Sequence, residues 1–191
     1  MVLGITGAIG SGKSTAADLI TREYGFEMIG TDQLANKIMT EDPECRRELT
    51  EAFGPEIYTS CGTIDKDRYR ELIHKSAENR IRSDSIIHPR VWKRIREIVA
   101  EDPSGNFLVE TALPDENFAG ICDNVILVTA DPCVRAERLM RDRGYSKAYA
   151  ETVIANQKSE EEFRKFATLT VDNSLGQKEL AQNIRKAVES L

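Results

Sequence analysis

The chain has 191 residues, of which 40% are apolar and 30% charged, and it carries a formal net charge of −6. This length accommodates one domain with a full core and sizeable insertions. The acidic balance argues against a general nucleic-acid binder or a protein that adheres to anionic membranes, and the N-terminal apolar run is too short for a membrane span.

The first expected element is a buried strand over 2–6, "VLGIT", a short apolar run ended by glycine. An amphipathic helix follows through "STAADLITREYG" and closes at Gly25. A second short strand is expected at 26–30, "FEMIG". From about 32 to 101 the pattern is helical. Asp42-Pro43 and His88-Pro89 look like helix starts with proline at the first helical position, and Asp65 suits a cap for "KDRYRELIH".

Further strands are expected at 106–111 and 124–130, and Asp131-Pro132 opens a helix through "CVRAERLMRDR". A helix pair spans "SKAYAETVIANQ" and "SEEEFRKFA", the second member starting with a capping box from Ser159 and Glu162. The fifth strand is "TLTVDN" (168–173), and a helix closes the chain. Strands separated by helices imply a parallel sheet with right-handed crossovers. The four cysteines, Cys45, Cys61, Cys122 and Cys133, form no C-x-x-C and no zinc-ligand spacing. With no signal peptide apparent, they suggest reduced thiols in a cytoplasmic protein.

Residues Gly7-Ala8-Ile9-Gly10-Ser11-Gly12-Lys13-Ser14 fit G-x-x-x-x-G-K-[ST], a glycine loop between a strand and a helix that wraps phosphate with backbone N–H groups. The helix N-terminus adds its positive end. Lys13 would reach the β- and γ-phosphates, Ser14 would hold Mg²⁺, and Thr15 is a further phosphate contact. The glycines, Gly4 included, are expected to make room for the phosphates. Lys13 is expected to be exposed, its charge needed by the ligand rather than by packing.

No N-K-x-D or D-x-x-G string marks a guanine-specific switch protein. An insertion after the second strand and a helix pair after the fourth give the layout of a small-molecule kinase. The insertion would hold the acceptor, and the pair would close as a lid that excludes water.

The chain resembles the dephospho-coenzyme A kinases over nearly its full length. The matching stretches are "GITGAIGSGKST", "TDQLA", "AFGPEI" with "GTIDKDRYRELI", "IIHPRV", "VILVTAD" with "RAERLMRDRGYS", and "TVDNSLG". The resemblance implies ATP-dependent phosphorylation of the ribose 3′-hydroxyl of dephospho-coenzyme A, the last step of coenzyme A synthesis. It also implies ATP and Mg²⁺ as the cofactors, a small-molecule acceptor, no nucleic-acid or membrane partner, and a monomer. The implied fold is an α/β three-layer sandwich of the P-loop type with a five-stranded parallel sheet. Residues 1–31, 102–137 and 168–191 would form the nucleotide-binding core, 32–101 the helical acceptor-binding insertion, and 138–167 the lid.

The resemblance also assigns residues. Asp32 would be the base; the family often has D-x-D here, and this chain has Gly30-Thr31-Asp32, with only the second acid. By residue type alone Asp32 suits a helix N-cap equally well. Glu110 ends the third strand, where a carboxylate would bind substrate or hold Mg²⁺ through water, or simply end a strand. Beyond it the family's D-x-P-L-L-F-E becomes "ETALPDE", keeping only Leu113 and Glu116.

Arg138 and Arg141 would meet ATP from the lid entry, Arg138 also acting in catalysis with Lys13, although a solvated basic face would look the same. Asn173 would border the adenine or serve as a turn residue. In the insertion Arg68, His88 and Arg90 match acceptor-binding positions, against plain alternatives of a salt bridge, a helix cap and a solvated face. A kinase of nucleosides or nucleoside monophosphates, or a nucleotide-binding regulator without phosphotransfer, fits the loop as well.

Overall fold

The computed structural model describes residues 1–191. Its sheet has five strands: β1 (Val2–Thr6), β2 (Glu27–Gly30), β3 (Phe107–Glu110), β4 (Asn124–Thr129) and β5 (Leu169–Asp172). Their order is 2-3-1-4-5, with β1 parallel to both β3 and β4, and β4 parallel to β5. β1 is buried at all five positions, as a central parallel strand covered on both faces must be.

Two compact units divide the chain, Met1–Ile29 with Asp102–Leu191, and Gly30–Glu101. In the first unit, α1 (Lys13–Tyr24) and α10 (Gln177–Glu189) cover one face of the sheet. Leu3 and Ile5 point to that face, two residues apart as strand pleating requires. They join Ala16, Ala17, Ile20, Leu108, Ile126, Leu180 and Ile184 in one apolar cluster. Each fully buried Leu or Ile contributes about 1.5–3 kcal/mol.

Gly4 points the other way. A Cβ there would sit 2.6 Å from the Phe118 ring and 2.8 Å from Cys122 Sγ. Phe118 lies on α6 (Glu116–Ile121), a short helix capped by Asp115 that the sequence patterns do not single out. Gly4 therefore makes room for an aromatic ring and not for phosphate. The unit is completed by α7 (Pro132–Arg143), α8 (Lys147–Ala155) and α9 (Glu160–Arg164). Asp131 accepts from Cys133 N, and the Ser159–Glu162 capping box is formed.

The second unit is helical: α2 (Thr31–Glu41), α3 (Pro43–Phe53), α4 (Lys66–Lys75) and α5 (Ala77–Glu101), with α2, α3 and α4 each packed on α5. Asp42 and Asp65 cap α3 and α4. His88-Pro89 does not start a helix; both lie inside α5. Proline there forfeits the bond to the Ser85 carbonyl, a cost of about 3 kcal/mol. The apolar stripe Ile86, Ile87, Val91 and Ile95 is buried on both sides of Pro89 and offsets that cost.

Candidate active site

Register brings the site together. Ile5 is paired with Glu110, Thr6 with Leu127, and Thr129 with Asp172. Four loops therefore leave the sheet from one edge: 7–12 after β1, 111–115 after β3, 130–131 after β4 and 173–176 after β5. In open parallel sheets this carboxyl edge is where ligands bind.

The loop from Gly7 runs directly into α1, whose N-cap is Gly12 with φ 90° and ψ 21°, a left-handed conformation that favours glycine. A Cβ on Gly12 would lie 2.1 Å from Asn173 Nδ2. The space is used by a protein side chain: Asn173 Nδ2 donates to the Ser11 carbonyl at 2.7 Å. Ser11 N–H donates to the Ala8 carbonyl at 3.1 Å and tightens the turn. Thr6 Oγ1, Ser11 Oγ and Asn173 Oδ1 are buried without a hydrogen-bond partner. Such groups each cost about 1–3 kcal/mol, and all three border this loop.

Lys13 is not exposed. Its side chain is 16% accessible, and Nζ lies 2.5 Å from Glu110 Oε1, itself on a side chain 17% accessible. Ser14 Oγ donates to the same oxygen at 3.0 Å. The cation, hydroxyl and carboxylate thus meet at the α1 N-terminus because Glu110 is paired with Ile5 across the ladder. Ser14 and Glu110 are hard oxygen donors of the kind Mg²⁺ accepts. No group of three or more acids, histidines or cysteines gathers to hold a metal by itself. The donor set therefore fits a cation completed by phosphate oxygens and water.

α7 flanks the loop. Arg138 Nη1 donates to the Gly10 and Ser11 carbonyls at 3.2 and 3.3 Å, and Nη2 to the Asn173 carbonyl at 2.7 Å. A cavity of about 550 Å³ is lined by Gly10, Gly12, Ser14, Thr15, Arg138, Arg141 and Asn173, among others. Arg141 is exposed and bonds Asp142 at 2.7 and 3.0 Å. Sequence reasoning misses Arg135, one turn before Arg138, and Gln157. Arg135 Nε donates to the Ile9 carbonyl at 2.8 Å, and Ile9 N–H donates to Gln157 Oε1 at 2.9 Å. Burial pushes the Arg135 guanidinium below its ordinary value. The three-residue step from Arg135 to Arg138 on one helix face is the available signal; nothing local marks Gln157.

In the second unit Asp32 is exposed in the first turn of α2, whose N-cap is Gly30 rather than the aspartate. Arg90 donates to Glu48 at 2.9 Å and to the Ile86 carbonyl at 2.7 Å, and lines a 410 Å³ cavity with Lys93 and Arg94. Arg68 stands 3.6 Å from Glu56, and His88 3.6 Å from Asp84, both at the surface. Neither Arg68 nor His88 lines the Arg90 cavity.

A central strand, a glycine loop, a lysine and serine at a helix N-terminus and a carboxylate from the next strand define the class, a small-molecule kinase fold built on a phosphate loop. The family model described as dephospho-CoA kinase matches residues 1–179, and the chain belongs to that family. It is 32% identical to the dephospho-CoA kinase of Corynebacterium glutamicum over 99% of this chain and 98% of the relative. With that of Thermobifida fusca strain YX the identity is 30%, over 99% and 95%. The solved structure of TT1252 from Thermus thermophilus superposes with a TM-score of 0.79 at 30% identity, covering 100% of this chain and 96% of that one.

Proposed function

We propose that the chain transfers the γ-phosphoryl group of ATP to the ribose 3′-hydroxyl of dephospho-coenzyme A. The observation that carries this reading is the match of the dephospho-CoA kinase family across residues 1–179. The convergence of Lys13, Ser14 and Glu110 beside the glycine loop supports it.

In this reading the loop Gly7–Gly12 and the α1 N-terminus hold the phosphates by backbone N–H groups. Lys13 exchanges its contact with Glu110 for the β- and γ-phosphates. Ser14 and Glu110 would hold Mg²⁺, which when bound neutralises charge on the phosphate oxygens. Arg138, braced on three carbonyls, keeps its guanidinium at the cavity wall beside Thr15 and Arg141, and Asn173 borders the base.

Asp32 accepts the proton of the acceptor hydroxyl and orients it for in-line attack. Its exposure two residues after β2 supports this role. Residues 32–101, with Arg68, His88 and Arg90, hold the acceptor; 138–167 act as the lid; and 1–31, 102–137 and 168–191 form the nucleotide core. No helix is long and apolar enough to cross a membrane, and the four cysteines are free; a cytoplasmic location belongs to the same reading. ATP and the acceptor are the only partners the reaction requires, and a monomer suffices.

A coupled ADP-release assay tests the reading. Turnover with dephospho-coenzyme A should exceed that with any member of a nucleoside and nucleoside monophosphate panel by at least about a hundredfold, about 2.7 kcal/mol in transition-state binding. Equal turnover with a panel member would redirect the assignment.

A further inference from the structure

Ile9, in the middle of the glycine loop, is held by both of its backbone polar groups. Its N–H donates to Gln157 Oε1 at 2.9 Å, and its carbonyl accepts from Arg135 Nε at 2.8 Å. Arg135 Nη2 donates to the same Gln157 oxygen at 2.9 Å. A loop residue, a guanidinium on α7 and an amide between α8 and α9 thus close a ring. The Arg135 backbone is equally near: a Cβ on Gly10 would come within 3.0 Å of the Arg135 carbonyl.

The charge makes this more than packing. Arg135 is half-buried, and its bonds go to neutral acceptors; Glu160 acts on it only at a distance. Burying a cation without a carboxylate is costly. Here the guanidinium is held by the loop carbonyl and the Gln157 amide. The adjacent segment is anchored elsewhere too, since Lys158 Nζ donates to the Pro114 carbonyl at 3.3 Å, on the loop that follows Glu110.

We propose that Arg135 and Gln157 are positioning residues that lock the two peptides flanking Ile9 in the shape that receives the phosphate chain. The inference rests on the nucleotide-binding reading of the loop. A peptide already fixed in the folded protein need not be ordered at binding, which is where preorganisation gains affinity. The benefit falls only on ligands that carry phosphates into the loop. A brace that merely stabilised the fold would lower the melting temperature and favour no ligand.

The test is titration of MgADP and, separately, of dephospho-coenzyme A into wild type, Gln157→Ala, Arg135→Gln, Arg135→Lys and the double variant Arg135→Gln/Gln157→Ala. Each neutralising or truncating single variant should raise the Kd of MgADP about 10- to 100-fold, the range for hydrogen bonds to charged groups. The Kd of dephospho-coenzyme A should stay within about twofold. The double variant should be no more than about threefold weaker than the weaker single, because the two side chains bond each other and hold opposite sides of one residue. Arg135→Lys keeps the charge and one bond and should recover part of the loss.

An unchanged MgADP Kd, equal weakening of both ligands, or a double variant whose effect is the product of the singles would overturn the proposal. Should Arg135→Gln fold poorly, Gln157→Ala alone decides it by the split between the two ligands. A wild type that does not bind MgADP would defeat the nucleotide reading itself, which separates that failure from this one.

Discussion

Replacing Lys13 by alanine should damage stability as well as catalysis. In the folded protein Lys13 Nζ lies 2.5 Å from Glu110 Oε1, with the two side chains 16% and 17% exposed. Removing one partner of a fully buried pair costs about 3–5 kcal/mol, while exposed pairs contribute about 0–1 kcal/mol. This pair lies between the limits, so about 2 kcal/mol is expected. For a chain of this size that lowers the melting temperature by about 4–8 °C.

The loss comes from stranding the carboxylate, so neutralising it should help. The double variant Lys13→Ala/Glu110→Gln should regain more than half of the lost stability, since an amide needs no counter-charge and can still bond Ser14 Oγ. Activity should separate from stability. ADP release should fall about 10²–10³-fold on loss of the lysine, the usual loss for one charge-stabilising group, and should stay low in the double variant. Urea and thermal midpoints for wild type, Lys13→Ala and the double variant, with turnover, make the comparison. A Lys13→Ala midpoint equal to wild type, or no recovery when Glu110→Gln is added, would refute the pairing argument; near-normal turnover would refute the phosphate role.

Asp32→Asn should lower kcat by about a hundredfold, the low end of general-base contributions, because phosphoryl transfer asks little of its base. Its stability cost should stay within about 1 kcal/mol, the favourable term of an acid in a first helical turn; a kcat loss below about threefold would remove Asp32 as the base. Gly12→Ala should cost about 2–3 kcal/mol, from the Cβ placed 2.1 Å from Asn173 Nδ2 and a φ of 90°. Gly25→Ala, at φ 70° with open space around it, is the control and should cost about 1 kcal/mol; equal melting temperatures for the two variants would contradict the clash.

Alkali should weaken the fold, because burial pushes the Cys45 and Cys122 thiols from 9.0 up to about 11 and about 12. Burial likewise pushes the Tyr58 and Tyr69 hydroxyls from 10.0 to about 12. The folded protein holds these protons more tightly than the unfolded chain, so the stability they contribute is complete below about pH 9 and is lost as the pH rises towards about 12. A urea midpoint that stays flat from about pH 8.5 to 10.5 would count against this linkage.

The strands, most caps and the glycine loop are legible in the sequence because each follows from local pattern: apolar runs, Asp-Pro starts and glycine spacing. Pro89 misleads because a local rule for proline competes with the burial of an apolar stripe on both sides of it, which only tertiary packing reveals. Gly12 reads as room for phosphate, yet Asn173, on the far side of the chain's length, supplies the nearest obstacle. Gln157 meets Ile9 across 148 positions, and no periodicity encodes a contact of that kind. Lys13 looks exposed from sequence because sequence carries no register; its partner is set by the pairing of Ile5 with Glu110.

That pairing has a consequence for how the protein is made. β1 has its first partner at Phe107 and its second at Asn124 to Leu127, so it emerges from the ribosome long before either exists. At about 5–20 residues per second, the wait for β4 is roughly 6–25 s. During that time the helices of Gly30–Glu101, whose contacts are local, can assemble as a unit, while "VLGIT" remains an unpaired apolar segment. A translation product that stops before residue 124 therefore retains the glycine loop as sequence but has no complete sheet to hold it in shape, and its unpaired β1 edge makes it a candidate for chaperone capture or aggregation.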